Sequence, residues 1–411
     1  MHPLTPPNPL KVPALRSFAL ICGTEAIARG VTLAVYPLTL FRIWGDAVSV
    51  SKIYLAVGVF SLISTLTVPI ITRYVPRRWL HTIATLLYLL AGCLGITGGK
   101  LTALALLCAT QATAVGFVCY NANVLDHVRK DQLGRMETMR LVYSGVGWSV
   151  GPFLGVWMMQ YWQGAPFLVV AIAAITMLSM IWLTGMGSTR LKASKRRTSS
   201  NPLRYLGRFL AQPRLVSGWL LTVIRSCGWA VYMVYLGIFA VASGLGDKVG
   251  GLTASLASTA LFFTPLMLHW IQRRTLRQAV RTGFLVSGSL FVAAAIFSPW
   301  PWLSIVLLVV AAGYLVLLDI CGGLPFLMSV KPSERTEMLA VFSTFRDVAN
   351  VLTPAAVWLL LQFATLPAVF AVGGLALLAA WMLAGKMHPQ LGVPNAQRVR
   401  ARQSQTTVAS S

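Results

Sequence analysis

Twelve stretches of the chain, each about 20 residues or slightly longer, are apolar enough to cross a bilayer as helices. Their approximate limits are 15–41, 50–72, 79–98, 101–125, 138–162, 165–185, 214–241, 250–271, 280–299, 302–328, 338–363 and 366–386. In hydrocarbon every backbone N–H and C=O must be satisfied inside the protein, and a helix does this within one segment. The chain is therefore expected to be an all-α membrane protein of twelve transmembrane helices. The composition agrees: 56% of residues are apolar and 11% are charged. A soluble fold lacks the interior to hide that much apolar surface, and disordered, collagen-like and disulfide-knotted chains are excluded too. All six cysteines fall inside apolar runs and none forms C-x-x-C, so neither a disulfide frame nor a metal site is expected. The proline-rich start lacks a charged n-region and a cleavage site, so the first span is expected to stay in the mature protein.

Lys and Arg number 34 against 10 Asp and Glu, a net charge of +24. With both termini on one side, 27 of the 34 cations fall in loops on that side. Arg42, Lys52, Lys100 and Lys248 fall on the other, and Arg29, Arg225 and Arg346 lie within spans. The positive-inside rule then places both termini in the cytoplasm of a cell membrane, with a bacterial inner membrane expected. The same rule accounts for the basic excess without a nucleic-acid partner. The one long polar stretch, 186–213, carries eight of these cations counted through Arg214. It reads as a cytoplasmic linker between an N-terminal six-helix bundle (1–185) and a C-terminal one (214–386), with a disordered basic tail at 387–411.

The halves resemble each other. Pro69-x3-Arg73-x3-Arg77-Arg78 after span two matches Pro265-x3-His269-x3-Arg273-Arg274 after span eight. Arg135-Met-Glu137 precedes span five and Arg335-Thr-Glu337 precedes span eleven; Val156-Trp157 and Val357-Trp358 follow. Two parallel six-span halves related across the membrane normal is a transporter plan. Twelve spans, a basic central linker and this repeat resemble the major facilitator superfamily over essentially the whole chain. The superfamily's loop after span two, G-x-x-x-D-R-x-G-R-R, keeps only its Arg77-Arg78 end here, with Pro69, Arg73 and Pro76 where Gly, Asp and Gly stand. Gly147-x3-Gly151-Pro152-x2-Gly155 resembles the G-x-x-x-G-P-x-x-G signature of the drug/proton antiporter branch, which implies export. Independently of the family, Gly147, Gly151 and Gly155 line one helix face that admits a close neighbour, and Pro152 bends it.

A charge near the bilayer centre costs at least about 2.5–3.5 kcal/mol, so ionisable residues deep in spans mark cavities or partners. Span one holds Glu25 and Arg29, spaced for an ion pair, with Thr32 and Tyr36 extending the stripe. Span seven holds Arg225, Trp229 and Tyr232; span ten holds Tyr314 and Asp319; span four is polar through Gln111, Tyr120, Asn121 and Asn123. In the superfamily, spans one, four, seven and ten line the central cavity. The resemblance thus makes Glu25, Arg29, Arg225 and Asp319 the expected substrate and proton-coupling cluster, with a closed structural pair as the other reading of Glu25–Arg29. Asp319 has no ionisable neighbour in its own span, and burial favours the protonated carboxyl, so it is the expected proton carrier. Arg346 and Asp347 in span eleven, and Arg77 and Arg78, are expected at gates. Asp126, Arg135, Glu137, Arg140, Glu334, Arg335 and Glu337 are expected in salt bridges between the halves.

No H-E-x-x-H, G-x-G-x-x-G or P-loop is present, so no catalytic site, metal, cofactor or nucleotide drive is expected. The expectation is a monomeric secondary active transporter. Proton-coupled efflux of a drug or metabolite comes first, and proton-coupled import of an organic anion or zwitterion second. A non-transporting membrane assembly factor or sensor is the reading from another class.

Overall fold

A computed structural model describes residues 15–71, 74–127, 133–184, 202–272, 275–322 and 341–386, with positions 326, 330 and 338. The described residues are helical, without strands. In chain order the helices are α1 (Leu15–Leu33), α2 (Val35–Trp44), α3 (Ala47–Ile71), α4 (Arg77–Thr97), α5 (Leu101–His127), α6 (Leu133–Met159), α7 (Ala165–Leu183) and α8 (Pro202–Leu210). There follow α9 (Pro213–Ala230), a π-helical stretch (Val231–Tyr235), α10 (Leu236–Ala242), α11 (Asp247–Thr259), a 3-10 stretch (Ala260–Phe263) and α12 (Thr264–Gln272). Last come α13 (Leu276–Ile296), α14 (Pro301–Gly322), α15 (Phe345–Leu360) and α16 (Pro367–Gly385). The twelve expected spans are these helices: α1 with α2 forms span one, α9 with α10 span seven, and α11 with α12 span eight. Helix ends overrun the apolar runs, as where α6 begins at Leu133, because a helix continues into the polar turn where hydropathy stops.

Nine of these spans are long and apolar enough on their own to cross a membrane, among the described residues. The three that fall short are spans five, eight and eleven. They contain the Gly147–Gly155 motif with Pro152, the 3-10 break at 260–263, and Pro354.

The chain forms two compact units, and these do not follow the halves of the sequence. The first contains residues 1–201 together with 233–259 and 350–362; the second contains 202–232, 260–349 and 363–411. Spans seven, eight and eleven each pass from one unit to the other, and each does so at an irregularity. Span seven widens to π winding at Val231–Tyr235, and span eight tightens at Ala260–Phe263. In span eleven Pro354 removes the donor that Asn350 O would receive, since proline lacks the N–H.

In the first unit α1 seats on α6 through glycine. A methyl group at Gly30 would overlap the Gly147 carbonyl, and one at Gly151 would come 2.6 Å from the Gly30 carbonyl carbon. The segments from spans seven, eight and eleven are tied into the same unit. Arg42 pairs with Asp247, and Ser51 Oγ lies 2.8 Å from Tyr235 Oη. A methyl at Gly58 would lie 2.5 Å from the Asn350 carbonyl oxygen. Beyond Pro152, the Phe153 N–H donates to Ser255 Oγ of α11 at 2.9 Å. In the second unit α13 meets α16 at Gly288 and Gly374, where a methyl at Gly374 would come 2.7 Å from Gly288 O.

Candidate functional site

In the first unit α1 presents Glu25 and Arg29 one turn apart. Arg29 donates to Glu25 Oε1 at 3.2 Å, with about a third and a quarter of the two side chains exposed (33% and 26%). Tyr88 of α4 donates to the same oxygen at 3.1 Å, and its hydroxyl lies 2.6 Å from Thr113 Oγ1 of α5. The Arg29 guanidinium sits 4.7 Å from the Trp148 ring centroid. Trp148 reaches it because the glycines on either side, Gly147 and Gly151, let α6 lie against α1. The pair is thus held from two neighbouring helices, α4 and α6, with Thr113 of α5 fixing the Tyr88 hydroxyl. Tyr88, Thr113 and Trp148 escape a reading of the sequence, since an isolated Tyr or Trp in an apolar run carries no mark of its partner.

In the second unit α9 carries Arg225 and Trp229, one turn apart, facing Asp319 of α14. Arg225 Nε lies 3.1 Å from Asp319 Oδ1, and Trp229 Nε1 donates to Oδ2 at 2.9 Å. The two carboxylate oxygens are therefore divided between two residues of one helix. The Arg225 side chain is 11% exposed, whereas Asp319 keeps 34%. The Arg225 Nε–H points off the oxygen and makes no hydrogen bond, so the contact is an ion pair only. Tyr232 packs edge-on against Trp229 at 6.0 Å, and Phe345 of α15 lies 5.5 Å from the Arg225 guanidinium carbon. Trp229 was expected to line a cavity; its indole N–H binds the candidate proton carrier directly.

The sequence matches the family model described as Major Facilitator Superfamily over residues 18–354. The chain belongs to the Major Facilitator Superfamily. Its members are transporters rather than enzymes, and solved structures agree on the fold. The nucleoside transporter NupG is 14% identical, with 93% of this chain and 100% of that one covered and a TM-score of 0.72. A POT family transporter in complex with 5-aminolevulinic acid is 12% identical, covering 92% and 97%, with a TM-score of 0.74. The peptide transporter POT in complex with sulfate is 14% identical, covering 92% and 94%, with a TM-score of 0.70. No curated protein matches the sequence.

The remaining candidate residues of this superfamily member fall in varied settings. Thr32 is buried and donates to Ala28 O of its own helix at 2.9 Å. Tyr36 is buried with its ring edge on Phe167 at 5.5 Å and its hydroxyl without a partner. Gln111 has both amide atoms buried and unpartnered, which marks it as a place for a water or a ligand group. Tyr120 donates to Phe18 O at 3.1 Å inside an apolar cluster with Ile21 and Ile181. Tyr314 is half-buried on α14, and Arg346 is exposed with its guanidinium 5.8 Å from the Phe345 ring. Asp347 is half-buried in the first turn of α15. Gly155 packs on Val31, where a methyl would overlap the carbonyl, so all three motif glycines face α1. Arg78 stacks over Trp182 at 3.9 Å. The side chains of Arg77, Asn121, Asp126, Arg135, Glu137, Glu334, Arg335 and Glu337 lie outside the described residues, as do the tail 387–411 and most of the linker.

A cavity of about 720 Å³ in the first unit is lined by Thr39, Arg42, Gln160, Trp162 and the 95–99 turn, and by none of the deep ionisable residues. The two deep ion pairs lie apart from this cavity, and desolvated charge demands a reason that surface relief does not. Among the described residues no group of His, Cys, Asp and Glu could hold a metal ion.

Proposed function

We propose that the chain is a secondary active transporter that works by alternating access and exports a small organic compound in exchange for protons. Membership of the superfamily supports the transporter reading, and the arrangement around Asp319 carries the coupling. When Asp319 is ionised, Arg225 and Trp229 hold α9 against α14. Protonation removes the charge that Arg225 answers, and α9 is released next to the π-helical turn at Val231–Tyr235. A widened turn at that point gives span seven a place to change winding. The rings of Trp229, Tyr232 and Phe345 offer an aromatic surface to an amphipathic cargo. Glu25, answered by Arg29 and Tyr88 within the first unit, anchors α1 and has the lesser part in the proton response.

A second reading rests on Arg225. Once Asp319 is protonated, the guanidinium is free to take the carboxylate of an organic anion or zwitterion, which would enter together with the proton. Both readings place the protein in a cell membrane with its termini in the cytoplasm, on the charge asymmetry of its loops.

Proteoliposomes with an imposed pH gradient separate them. Candidate compounds are first selected from metabolite and drug panels by the thermal shift they produce in the purified protein. Exchange in which inward proton flow drives the compound out supports export. Accumulation driven by inward protons sinks the export reading and establishes the second.

A further inference from the structure

We propose that the protein binds two anionic phospholipid headgroups, one at each of two equivalent arginine–tryptophan seams on its basic face. The first seam joins the start of α4 to the end of α7. Arg78 stacks 3.9 Å over the Trp182 ring, and the indole is fixed by donating to Thr82 Oγ1 at 3.2 Å. Trp79 meets Trp182 edge-on at 5.6 Å. The second seam joins the start of α13 to the end of α16. Arg281 lies 5.2 Å over Trp381, and one turn before it Arg277 donates to Gly385 O at the end of α16. Lys386 follows directly. Arg281 and Trp381 stand about 200 positions after Arg78 and Trp182, the spacing of the internal repeat. The same pairing has therefore been kept in both halves, each within its own unit.

Three observations point to a ligand rather than to packing alone. First, among the described residues none of these arginines has a carboxylate partner: Glu25, Asp247 and Asp319 are committed to Arg29, Arg42 and Arg225. Second, Nε of Arg78, Arg277 and Arg281 is buried without a hydrogen-bond partner. Stacking uses only the face of a guanidinium and leaves its in-plane N–H donors to be answered. Third, the site is open to lipid: Trp79, Trp182 and Leu183 are exposed at one seam, and Met382 at the other. At that depth the available acceptors are phosphate oxygens, and a planar guanidinium presents them a matching fork of donors. Arginine and tryptophan at the end of a span are also the residues that sit at headgroup level.

Native mass spectrometry of the full chain, released from micelles doped with phosphatidylglycerol or phosphatidylcholine, tests this. The wild type retains two phosphatidylglycerol molecules at energies that strip phosphatidylcholine. Arg78→Gln or Arg281→Gln retains one, and the double variant none, whereas Arg208→Gln on the exposed linker helix retains both. In a thermal-shift arm phosphatidylglycerol raises Tm by several degrees in the wild type and not in the double variant, while millimolar inorganic phosphate gives no shift. If the glutamine variants fail to fold, Arg78→Lys with Arg281→Lys keeps the charge but loses the fork, and retention falls about tenfold. Two lipids kept by the double variant or undiminished by the lysine pair, equal retention of phosphatidylcholine, or an equal shift with free phosphate each overturn the assignment.

Discussion

The two deep ion pairs are built on different plans. Glu25–Arg29 lies within one helix, so its geometry follows from the 3.6-residue turn and survives any movement of α1 as a body. Arg225–Asp319 joins two helices remote in sequence, and it exists only while α9 and α14 keep their present separation. A local pair reports nothing about its neighbours; a pair between helices reports on their relative position. The second is therefore suited to coupling protonation to conformation, and the first to anchoring. Burial sharpens the contrast: the Arg225 side chain is 11% exposed and Arg29 33%. Taking away its carboxylate leaves Arg225 stranded, whereas Arg29 stays wetted and stacked on Trp148.

The strongest test of that contrast is Asp319→Asn. An uncompensated buried arginine costs about 3–5 kcal/mol. Proton-driven transport is expected to fall about 100-fold, while exchange of cargo without a pH gradient persists. Concentrative transport by this variant would break the comparison outright. Next in size is Gly30→Val, which pushes α1 off α6 and is expected to destabilise the protein by about 2–3 kcal/mol, as overpacking does. Thermal unfolding measures it, and an unchanged Tm would show that the glycine seat is not what positions Trp148. Glu25→Gln is expected to cost about 1 kcal/mol or less, because the pair is partly exposed and local. Its proton-driven rate should stay within about tenfold of wild type, and a loss equal to that of Asp319→Asn would erase the distinction between the pairs. The smallest effect is Tyr88→Phe, at about 0.5 kcal/mol for one partly buried hydrogen bond. A double-mutant cycle with Glu25→Gln should show the two effects overlapping; strict additivity would mean that Tyr88 does not act through Glu25.

Much of this was legible beforehand wherever the controlling distance is short along the chain. The Glu25–Arg29 pair follows from a spacing of four, and the common face of Gly147, Gly151 and Gly155 from the same periodicity. Arg225 and Asp319 were legible as residues that need a reason, though not as each other's reason. Trp229 on Asp319, Tyr88 on Glu25 and Ser255 on the Phe153 N–H had no local signal. Each depends on how one helix is rotated against another. The division into units was equally hidden: the sequence repeats at about 200 residues, yet parts of spans seven, eight and eleven belong with the first half.

Read alone, the 411 residues establish a helical membrane protein of twelve spans, because hydrocarbon forces every segment to satisfy its own backbone and a span has a set length. They also establish which few side chains are too costly to be there by accident. The tertiary structure alone decides whom each of those meets. It pairs Arg29 within its helix and Arg225 across to α14, and it places Arg78 and Arg281 on tryptophans at equivalent seams. Local periodicity is written in the order of residues; the partner of a buried charge is set by the packing of whole helices, which only three dimensions contain.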